Sequence, residues 1–409
     1  MYNVRDIALA PQGHEKIEWV KEHMPVLSHI KRTFLKKEPF DNERVAVCLH
    51  LEAKTAYMAL LFQELGADVY ISGSNPLSTD DTVCAALAEE GVHVYSWHGI
   101  DPQSYYKNLT TILDANPTII IDDGLDLTSL LHSQKRPPVK GACEETTTGI
   151  IRARALQNQG LLQFPVIAVN DAYCKSLFDN RYGTGQSAFD GIMRTTNLVV
   201  AGKTVVISGY GWVGKGLAMR ARGLGAHVVV TEVDPIKALE AHMEGYRVMS
   251  MDEASSRGDI FITATGNIDV IREEHFEAMK HGAILCNAGH FDVEINVKTL
   301  RTLAEGRKIR KNVEAYTFNG KTVYLLGEGR LVNLACADGH PAEIMDLSFT
   351  LQILSAQYVA THSLEPAVLS VPEEIDTTVA NLALQALDIS IDTLTESQRA
   401  YLTSWKYGT

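Results

Sequence analysis

The feature that most constrains the fold of this chain is a glycine-rich turn between two apolar segments. Residues 205–214 read Val-Val-Ile-Ser-Gly-Tyr-Gly-Trp-Val-Gly, in which the glycines have the spacing G-x-G-x-x-G. The apolar residues before the turn predict a buried parallel strand, and residues 217–224 after it predict a helix. A second apolar strand follows at 227–232. Strand, tight turn, helix and strand in this order are typical of a dinucleotide-binding site in an α/β fold.

Each glycine of the turn has a separate physical role in such a site. Gly209 allows the tight turn, Gly211 lets a pyrophosphate approach the backbone, and Gly214 lets the helix pack closely on the strand. The N-terminus of the helix offers unpaired N–H groups to the phosphates. Glu232 ends the second strand, where a carboxylate accepts hydrogen bonds from ribose hydroxyls and repels a 2′-phosphate. The pattern predicts NAD rather than NADP, and the alternative is a glycine-rich turn in an ordinary α/β domain.

The size and charge of the chain limit what else it can be. It has 409 residues, too many for one hydrophobic core, and its net charge of -13 disfavours nucleic acid and anionic membranes as partners. No apolar run is long enough to span a bilayer, and the first residues carry no apolar signal region. The six cysteines are scattered without a C-x-x-C pair. Their spacing predicts reduced thiols in a cytoplasmic protein, with neither a disulfide framework nor a zinc knuckle.

Three polar residues are predicted to follow strands of a second sheet. A long amphipathic helix is predicted at 14–37, and apolar strands then alternate with helical stretches from 45 to 123. This alternation predicts a parallel sheet. His50, Asn75 and Asp123 fall at or just after the carboxyl ends of separate strands, where ligands of such sheets bind.

Two polar segments leave more than one interpretation open. Thr146, Thr147 and Thr148 open a helical stretch, where their hydroxyls either cap the helix or receive part of a cofactor. Lys175 and Asp179 are four residues apart and share a face of a predicted helix. They form either a surface ion pair or a site in which the pKa of the lysine is tuned to accept a proton from a hydroxyl. Spacing alone favours the surface ion pair.

Six segments of the chain resemble S-adenosyl-L-homocysteine hydrolases, and the resemblance extends over nearly its full length. They are 122–128 (DDGLDLT), 144–149 (EETTTG), 175–180 (KSLFDN), 209–216 (GYGWVGKG), 286–295 (CNAGHFDVEI) and 329–341 (GRLVNLACADGHP). Together they are highly specific, because other dinucleotide enzymes share only the glycine turn. The resemblance implies an α/β protein with two doubly wound parallel-sheet domains. We expect a substrate-binding domain at 1–184 that is completed by 341–373, an NAD-binding Rossmann domain at 185–340, and a short C-terminal helical tail at 374–409.

The resemblance also implies a reaction. In this family a tightly bound NAD⁺ oxidises the 3′-hydroxyl of the nucleoside to a ketone, which makes the C4′ proton acidic. Homocysteine then leaves C5′ by elimination, water adds to the enone, and the ketone is reduced again. The net reaction is the reversible hydrolysis of S-adenosyl-L-homocysteine to adenosine and L-homocysteine, with the cofactor regenerated in each turnover.

The family pattern assigns the acid–base chemistry to a small set of side chains. They are His50, Asp123, Glu145, Lys175, Asp179 and Asn180. By resemblance, Lys175 takes the 3′-hydroxyl proton while Asn180 holds the lysine. His50 and Asp123 handle protons near C4′ and C5′, and the two remaining acids hold the ribose hydroxyls.

Further residues are implied at the two ligands. Those at the cofactor are Thr146, Thr147, Thr148, Gly209, Gly211, Trp212, Val213, Gly214, Glu232, Asn267 and Asn333. Those at the substrate are Glu52, Lys54, Asn75, His290, Gly339, His340, Met345 and Phe349. No metal ligand is implied. The family further implies a small-molecule substrate and a homo-oligomer, namely a tetramer.

One departure from the family pattern lies beside the strand-end histidine. Eukaryotic members carry a glutamate that accepts from the adenine 6-amino group, and here the run 50–55 (HLEAKT) has Lys54 at that position. Lysine only donates hydrogen bonds, so a 6-amino purine meets donor with donor, whereas the 6-oxo base hypoxanthine offers an acceptor. S-Inosyl-L-homocysteine is therefore an alternative substrate. In the opposing interpretation, Glu52 supplies the acceptor while Lys54 pairs with it or points to solvent.

Other departures concern two loops and the tail. The family loop Ser-Thr-Gln-Asp reads STDD at 78–81, and Asp338 replaces the family's methionine before Gly339. The tail is shorter than that of the family, so Lys406 and Tyr407 are not assigned to a neighbouring subunit's NAD. Two other functions compete with hydrolysis: a catalytically silent NAD-binding regulator and a dehydrogenase that exchanges free NAD. The complete acid–base set disfavours the regulator, and the resemblance disfavours the dehydrogenase.

Overall fold

A computed structural model describes residues 1–34 and 38–406 of the chain. Its strands are β1 Arg44–Leu49, β2 Asp68–Gly73, β3 His93–Val94, β4 Ile119–Asp122, β5 Gly141–Glu144, β6 Val166–Ala168, β7 Thr204–Ser208, β8 His227–Thr231, β9 Arg247–Val248, β10 Ile260–Thr263, β11 Ile284–Asn287, β12 Arg307–Arg310, β13 Val313–Phe318, β14 Lys321–Leu326 and β15 Val368–Ser370. Its helices are α1 Ala10–Glu22, α2 Pro25–Phe34, α3 Ala53–Glu64, α4 Asp81–Glu89, α5 Pro102–Asp114, α6 Asp126–Ser133, α7 Thr147–Asn158, α8 Tyr173–Lys175, α9 Thr184–Thr196, α10 Trp212–Gly223, α11 Pro235–Met243, α12 Met251–Ser255, α13 Glu273–Ala278, α14 Val297–Leu303, α15 Val332–Ala335, α16 Ala342–Thr361, α17 Glu373–Ala386 and α18 Glu396–Leu402.

The first sheet is built mainly from the N-terminal part of the chain. Its strands lie in the order β15-β6-β5-β4-β1-β2-β3, and every pair is parallel. β1, β4 and β5 are almost wholly buried, because helices pack on both faces of the sheet. The edge strand β15 returns from much later in the sequence, with Val368 beside Val166. Helix α16 packs against the same sheet on its way back.

The second sheet contains the glycine-rich turn. Its order is β12-β13-β14-β11-β10-β7-β8-β9, in which β12, β13 and β14 form an antiparallel edge and the remaining pairs are parallel. Two apolar clusters fill the space between this sheet and the helices on its faces. The predicted fold class, two doubly wound α/β units followed by a helical tail, is therefore confirmed.

The glycine-rich turn adopts the predicted strand–turn–helix arrangement with one shift in a boundary. The predicted strand before the turn is β7, and the predicted strand after it is β8. The helix between them, α10, begins at Trp212, within the turn and five residues before the predicted start at 217. Apolar periodicity located only its later turns, because residues 212–216 carry two glycines, Gly214 and Gly216, and a lysine.

The single helix predicted at 14–37 is wrong. The chain forms α1 and α2 instead, separated at His23 and Met24. Pro25 explains the break, because its ring lacks an N–H and clashes with a preceding helical turn, so it opens α2 rather than continuing α1. Residues 35–37 of the predicted helix lie outside the described part of the chain.

The segment after α8 is a π-helix, Ser176–Gly183. The wider turn of a π-helix brings residues i+4 and i+5 to the same side as residue i. Asp179 and Asn180 accordingly both lie beside Lys175, with their Oδ1 atoms 3.4 and 2.8 Å from its Nζ. A regular α-helix would place only one of them there.

Two sequence expectations concern membranes and thiols. Among the described residues, no helix combines the length and the apolar character needed to cross a bilayer. All six cysteines are free and buried, which agrees with the predicted absence of a disulfide framework.

Candidate active site

A cavity of about 860 Å³ lies between the two sheets, where strands of both sheets end. His50, Asp123 and Glu145 reach it from just after β1, β4 and β5. The glycine-rich turn lines it from the other side, together with His290 after β11. Residues that follow parallel strands of two separate sheets therefore meet at a single site, as the carboxyl ends of such strands commonly do.

One group of side chains in the cavity is centred on Asp123. His50 Nε2 lies 3.2 Å from Asp123 Oδ2, and His290 Nδ1 lies 3.6 Å from Oδ1. Ser74 donates a hydrogen bond to Asp123 Oδ2 at 3.0 Å, and Ser78 Oγ lies 2.7 Å from His50 Nδ1. The carboxylate and the two imidazoles also bring their ligand atoms within 4.8 Å of one another, a spacing that a metal ion could use although the sequence predicts no metal here.

Burial and charge set the protonation of this group. Burial lowers the pKa of His50 to about 4, so its imidazole is neutral at neutral pH. Burial acts to raise the pKa of Asp123, but the nearby His290 and His50 outweigh it and leave that pKa below its ordinary value. The cavity therefore holds a neutral imidazole in contact with an ionised carboxylate, two basic groups that can take a proton from a ligand in the cavity.

A second group is centred on Lys175, which is buried with Asp179 rather than exposed as in a surface ion pair. Lys175 Nζ donates to Asn180 Oδ1 at 2.8 Å and to Asn170 Oδ1 at 3.2 Å. Asp179 Oδ1 and Glu145 Oε1 lie 3.4 and 3.5 Å from the ammonium. Both of these carboxylate oxygens are buried without a hydrogen bond. Two carboxylate acceptors that flank a lysine and make no hydrogen bond are suited to a ligand that carries neighbouring hydroxyl groups.

The charges of this second group are strongly interdependent. Burial acts to lower the pKa of Lys175, but Asp179 and Glu145 outweigh it and raise that pKa above its ordinary value. Burial likewise acts to raise the pKa of Asp179, and Lys175 and His340 reverse the direction. Burial raises the pKa of Glu145 to about 7 despite the opposing charge of Lys175. Lys175 is therefore protonated in the ligand-free site, and Glu145 is the nearby group that can most readily take up a proton.

Two pairs of acidic residues are adjacent in sequence, Asp122 with Asp123 and Glu144 with Glu145, and the two members of each pair have different roles. Asp122 and Glu144 are the last residues of β4 and β5, lie side by side in the sheet, and are fully buried. Glu144 accepts hydrogen bonds from the N–H groups of Gly124, Leu125 and Thr146, and Asp122 accepts from those of residues 127 and 128. These first acids hold the loops in place, and the second acid of each pair faces the cavity.

The glycine-rich turn contains one glycine that packing within the protein does not require. A Cβ atom on Gly209 would lie 2.6 Å from the carbonyl oxygen of Ala264, and one on Gly214 would lie 2.0 Å from that of Gly209. A Cβ on Gly211 would meet no atom within 4 Å and would stand in open space. Gly211 therefore leaves room for something outside the protein, as the close approach of a pyrophosphate demands.

The other residues predicted at the cofactor surround the same space. Those that line the cavity are Thr146, Thr147, Thr148, Trp212, Val213, Glu232 and Asn267. Glu232 accepts hydrogen bonds from the N–H groups of Tyr210 and Val233, so it also fixes the turn. Thr146 is the residue before α7, but its side chain makes no capping hydrogen bond, whereas Thr147 Oγ1 accepts from Asn170. The helix-capping interpretation of the threonines therefore has no support from their side chains.

Asn333 lies just behind this part of the cavity. Its side chain is fully buried, and neither its amide nitrogen nor its amide oxygen has a hydrogen-bond partner. A buried amide without partners costs roughly 1–3 kcal/mol for each unpaired group. Such a group fits a ligand amide that both donates and accepts, such as the carboxamide of a nicotinamide.

At the opposite end of the cavity Lys54 is buried in a polar contact with its neighbours. Its Nζ lies 2.7 Å from Glu52 Oε2 and donates to the backbone carbonyl of Asp338 at 3.0 Å. Glu52 caps the N-terminus of α3 and lines the cavity. The predicted alternative in which Glu52 pairs with Lys54 is therefore present, and the pair offers one carboxylate acceptor beside one ammonium donor.

The remaining residues predicted at the substrate occupy different positions around this end. Met345 and Phe349 line the cavity from one face of α16, and His340 lies 3.2 Å from Asp179 through its Nδ1. Gly339 has a positive φ of 75° in the turn before His340. Asn75 accepts a hydrogen bond from the N–H of residue 77, so its side chain shapes the turn after β2 and is not among the residues lining the cavity.

Comparison with known proteins identifies the group to which the chain is related. Residues 180–339 match the model described as the NAD-binding domain of S-adenosyl-L-homocysteine hydrolase, and residues 1–138 match the S-adenosyl-L-homocysteine hydrolase model. The S-inosyl-L-homocysteine hydrolase of Methanocaldococcus jannaschii is 56% identical over 100% of both chains. The adenosylhomocysteinase of Pyrococcus abyssi is 58% identical over 100% of this chain and 98% of the relative. The chain belongs to the S-adenosyl-L-homocysteine hydrolase family.

Membership of this family fixes the general activity. The chain is a hydrolase with an NAD-binding domain, and NAD is its cofactor. The open space at Gly211 and the unpaired amide of Asn333 fit that cofactor. Relatives of similar identity carry two different names, since the S-inosyl-L-homocysteine hydrolase of Methanococcus maripaludis is 54% identical over 100% of both chains. Family membership therefore does not determine whether the substrate carries adenine or hypoxanthine.

The two loops that depart from the family pattern take structural roles. Asp80 accepts from the N–H of Thr82 as the N-cap of α4, and Asp81 pairs with Arg5 at 2.8 Å. Asp338 pairs through its side chain with Arg194 at 2.9 Å, while its backbone carbonyl holds Lys54. Of these aspartates, Asp338 is the one that contacts Lys54, a residue predicted to bind the purine base.

Several residues that contact this site were not predicted from the sequence. They are Ser74, Ser78, Asn170, Thr184, Ser348 and Gln352. For the last two a signal was available, because positions 345, 348, 349 and 352 have the spacing of one helical face. Two polar residues on an otherwise apolar face of a buried helix indicate polar partners across the interface.

Proposed function

We propose that this hydrolase cleaves the thioether of S-adenosyl-L-homocysteine to give adenosine and L-homocysteine. The observation that carries the proposal is a pair of buried carboxylate oxygens, on Glu145 and Asp179, that make no hydrogen bond and lie 3.5 and 3.4 Å from Lys175 Nζ in a cavity lined also by the glycine-rich turn. This arrangement suits a ribose whose two hydroxyls are held while one of them is oxidised. Bound NAD supplies a hydride acceptor that is later a hydride donor.

The chain's own residues supply the proton transfers at the 3′-hydroxyl. Lys175 must lose a proton before it can accept one, because Asp179 and Glu145 keep it charged. Glu145 Oε1 lies 3.5 Å from the ammonium, and burial raises its pKa to about 7. We infer that Lys175 passes its proton to Glu145 and then takes the proton of the 3′-hydroxyl, with Asn170 and Asn180 holding the amine in place.

Protons at C4′ and C5′ are assigned to the other group. His50 and Asp123 lie on the facing side of the cavity, within 3.2 Å of each other. The neutral imidazole of His50 is a base for the acidified C4′ proton, and its protonated form is an acid for the departing sulfur. His290 closes this side of the cavity from the second sheet.

The base end supports a purine that is read along its Watson–Crick edge. Adenine carries a donor at position 6 and an acceptor at N1, and hypoxanthine carries an acceptor at position 6 and a donor at N1. The carboxylate of Glu52 and the ammonium of Lys54 complement adenine when Glu52 faces position 6. They complement hypoxanthine when Lys54 faces position 6, so S-inosyl-L-homocysteine is the second candidate substrate.

The test is a direct comparison of the two thioethers with purified enzyme loaded with NAD. Thiol release is measured for each compound, and kcat/KM is expected to favour the adenosyl form by about tenfold to a hundredfold, from one mismatched pair of buried polar groups. A preference for the inosyl form would replace the first substrate by the second. Failure to cleave either compound would refute the proposed function.

We also propose a homo-oligomer, in line with the tetramer expected from the family. The tail exposes large apolar side chains along its length, among them Leu387, Ile391, Leu402 and Trp405. Helix α18 buries none of its residues. An arm of this kind has no core of its own and is stabilised by contact with another surface. Deleting the chain from residue 387 onward should lower the number of subunits per particle, obtained by light scattering as the particle mass divided by the subunit mass, and an unchanged number would rule out the tail as an assembly element.

A further inference from the structure

Glu145 is contacted from behind by a glutamine on α16. Gln352 is fully buried, and its Nε2 donates a hydrogen bond to Glu145 Oε2. The other carboxylate oxygen, Oε1, faces Lys175 and makes no hydrogen bond within the protein. The two oxygens of one carboxylate therefore have different environments, one fixed by an amide and the other open to a ligand.

We propose that Gln352 is a positioning residue that keeps Glu145 ionised and directs its free oxygen toward Lys175 and the substrate. The inference rests on the proposed role of Glu145 as proton acceptor and holder of a ribose hydroxyl. An amide N–H stabilises a carboxylate in preference to the neutral acid. Because the amide is itself uncharged, it does so without competing with Lys175 for the acceptor.

The charges around Glu145 make such a donor necessary. Asp179 and Asp123 both disfavour a negative charge on Glu145, and Lys175 is the cation that favours it. The thiol of Cys143, two residues before Glu145 and on β5, is buried and uncharged. Burial raises the pKa of Glu145, and the hydrogen bond from Gln352 is one of the influences that lower it. Without that bond, Glu145 would hold a proton at higher pH and could not accept one from Lys175.

The test replaces Gln352 with methionine, which keeps the length of the side chain and removes the donor. The acid limb of the pH profile of kcat/KM is expected to move upward by about one pH unit, with activity largely retained at high pH. Ser355→Ala is the matched control, because Ser355 is buried three residues further along α16 and its hydroxyl has no hydrogen-bond partner. The control should leave the limb in place.

A second variant separates charge from packing. Gln352→Glu keeps the volume and can donate only while the new acid is protonated, so its activity should be confined to lower pH and fall as the pH rises. If both variants lose activity by the same factor at every pH, or if the acid limb of Gln352→Met coincides with that of the wild type, Gln352 only fills space and the inference is wrong.

The protonation of Glu145 is also measured without turnover. Infrared titration of the carboxyl band in the ligand-free protein, assigned with Glu145→Gln, should show the same upward shift in Gln352→Met. An unshifted band would overturn the inference even if the enzyme is active. A shifted band in a protein that cleaves neither thioether would retain the inference and refute the proposed function.

Discussion

Replacing Lys54 with methionine will show which edge of the purine the base pocket reads. The ammonium has three N–H groups, of which Glu52 and the carbonyl of Asp338 take two, so one remains for the base. A hydrogen bond from a buried charged donor contributes about 1.5–3 kcal/mol, which corresponds to roughly 10–150-fold in kcat/KM. Lys54→Met also leaves Glu52 and the carbonyl of Asp338 without their partner. The free-energy cost of these lost contacts is the same for both substrates, so it cancels in the ratio of their kcat/KM values.

The quantity to measure is the ratio of kcat/KM for the inosyl thioether to that for the adenosyl thioether. If Lys54 faces N1 of adenine, the variant loses adenosyl activity selectively and the ratio rises by about tenfold or more. If Lys54 faces the 6-oxo group, the ratio falls instead. Lys280→Met is the control, because Lys280 pairs with Asp259 at 3.0 Å and neither residue lines the cavity or the pocket beside Lys54. A ratio that does not change would refute the idea that Lys54 contacts the base at all.

Three further predictions follow from the described geometry. Lys175→Ala should keep its fold but lose most oxidation of the 3′-hydroxyl, which absorbance of the reduced cofactor would measure; near-normal turnover would remove Lys175 from the mechanism. Gly211→Ala should lose bound NAD and keep the melting temperature of the NAD-free wild type, because the new Cβ meets no protein atom within 4 Å. Gly214→Ala should unfold at a lower temperature than the NAD-free wild type, because its Cβ would lie 2.0 Å from the carbonyl oxygen of Gly209. The carboxylate form of Glu145 forms as the pH rises through about 7, so kcat/KM should increase over that range, and Glu145→Gln should abolish this limb; a limb that persists in the variant would assign the titration to another group.

The sequence predicted those parts of the site that depend on local order along the chain. The spacing of the glycines predicted the turn, and Asp123 could be placed because it follows a predicted buried strand. Glu145 was placed only by the family resemblance, because no strand was predicted before it. Their neighbours Asp122 and Glu144 looked equally available, and the structure separates them because successive residues at a strand end point to opposite sides. Because side chains alternate along a strand, the sequence contains enough information to predict that the two neighbouring acids point in opposite directions.

Other features depended on contacts between distant segments and could not be predicted locally. Lys175 and Asp179 have the spacing of a common surface ion pair, and their burial is decided by α16, which begins more than 160 residues later. Gln352 reaches Glu145 across 207 positions of sequence. The π-helix after Lys175 was also missed, because its sequence reads as an ordinary helical stretch. The periodicity of a segment predicts that it is a helix or a strand. It does not predict which distant segment will pack against it, and that packing decides which side chains are buried.

The route of the chain through its two sheets has a consequence for synthesis. The first sheet receives its last strand, β15, only after the whole second sheet has been made, and α16 brings Gln352, Met345 and Phe349 back to the first sheet on the same return. A nascent chain that has emerged as far as β14 has an open edge at β6 and a bare apolar surface where α16 will lie. During synthesis, the strands of the second sheet are therefore all present while the first sheet still lacks β15 and α16. Because an unpaired strand edge and exposed apolar surface favour aggregation, this is the stage at which the chain most needs a chaperone.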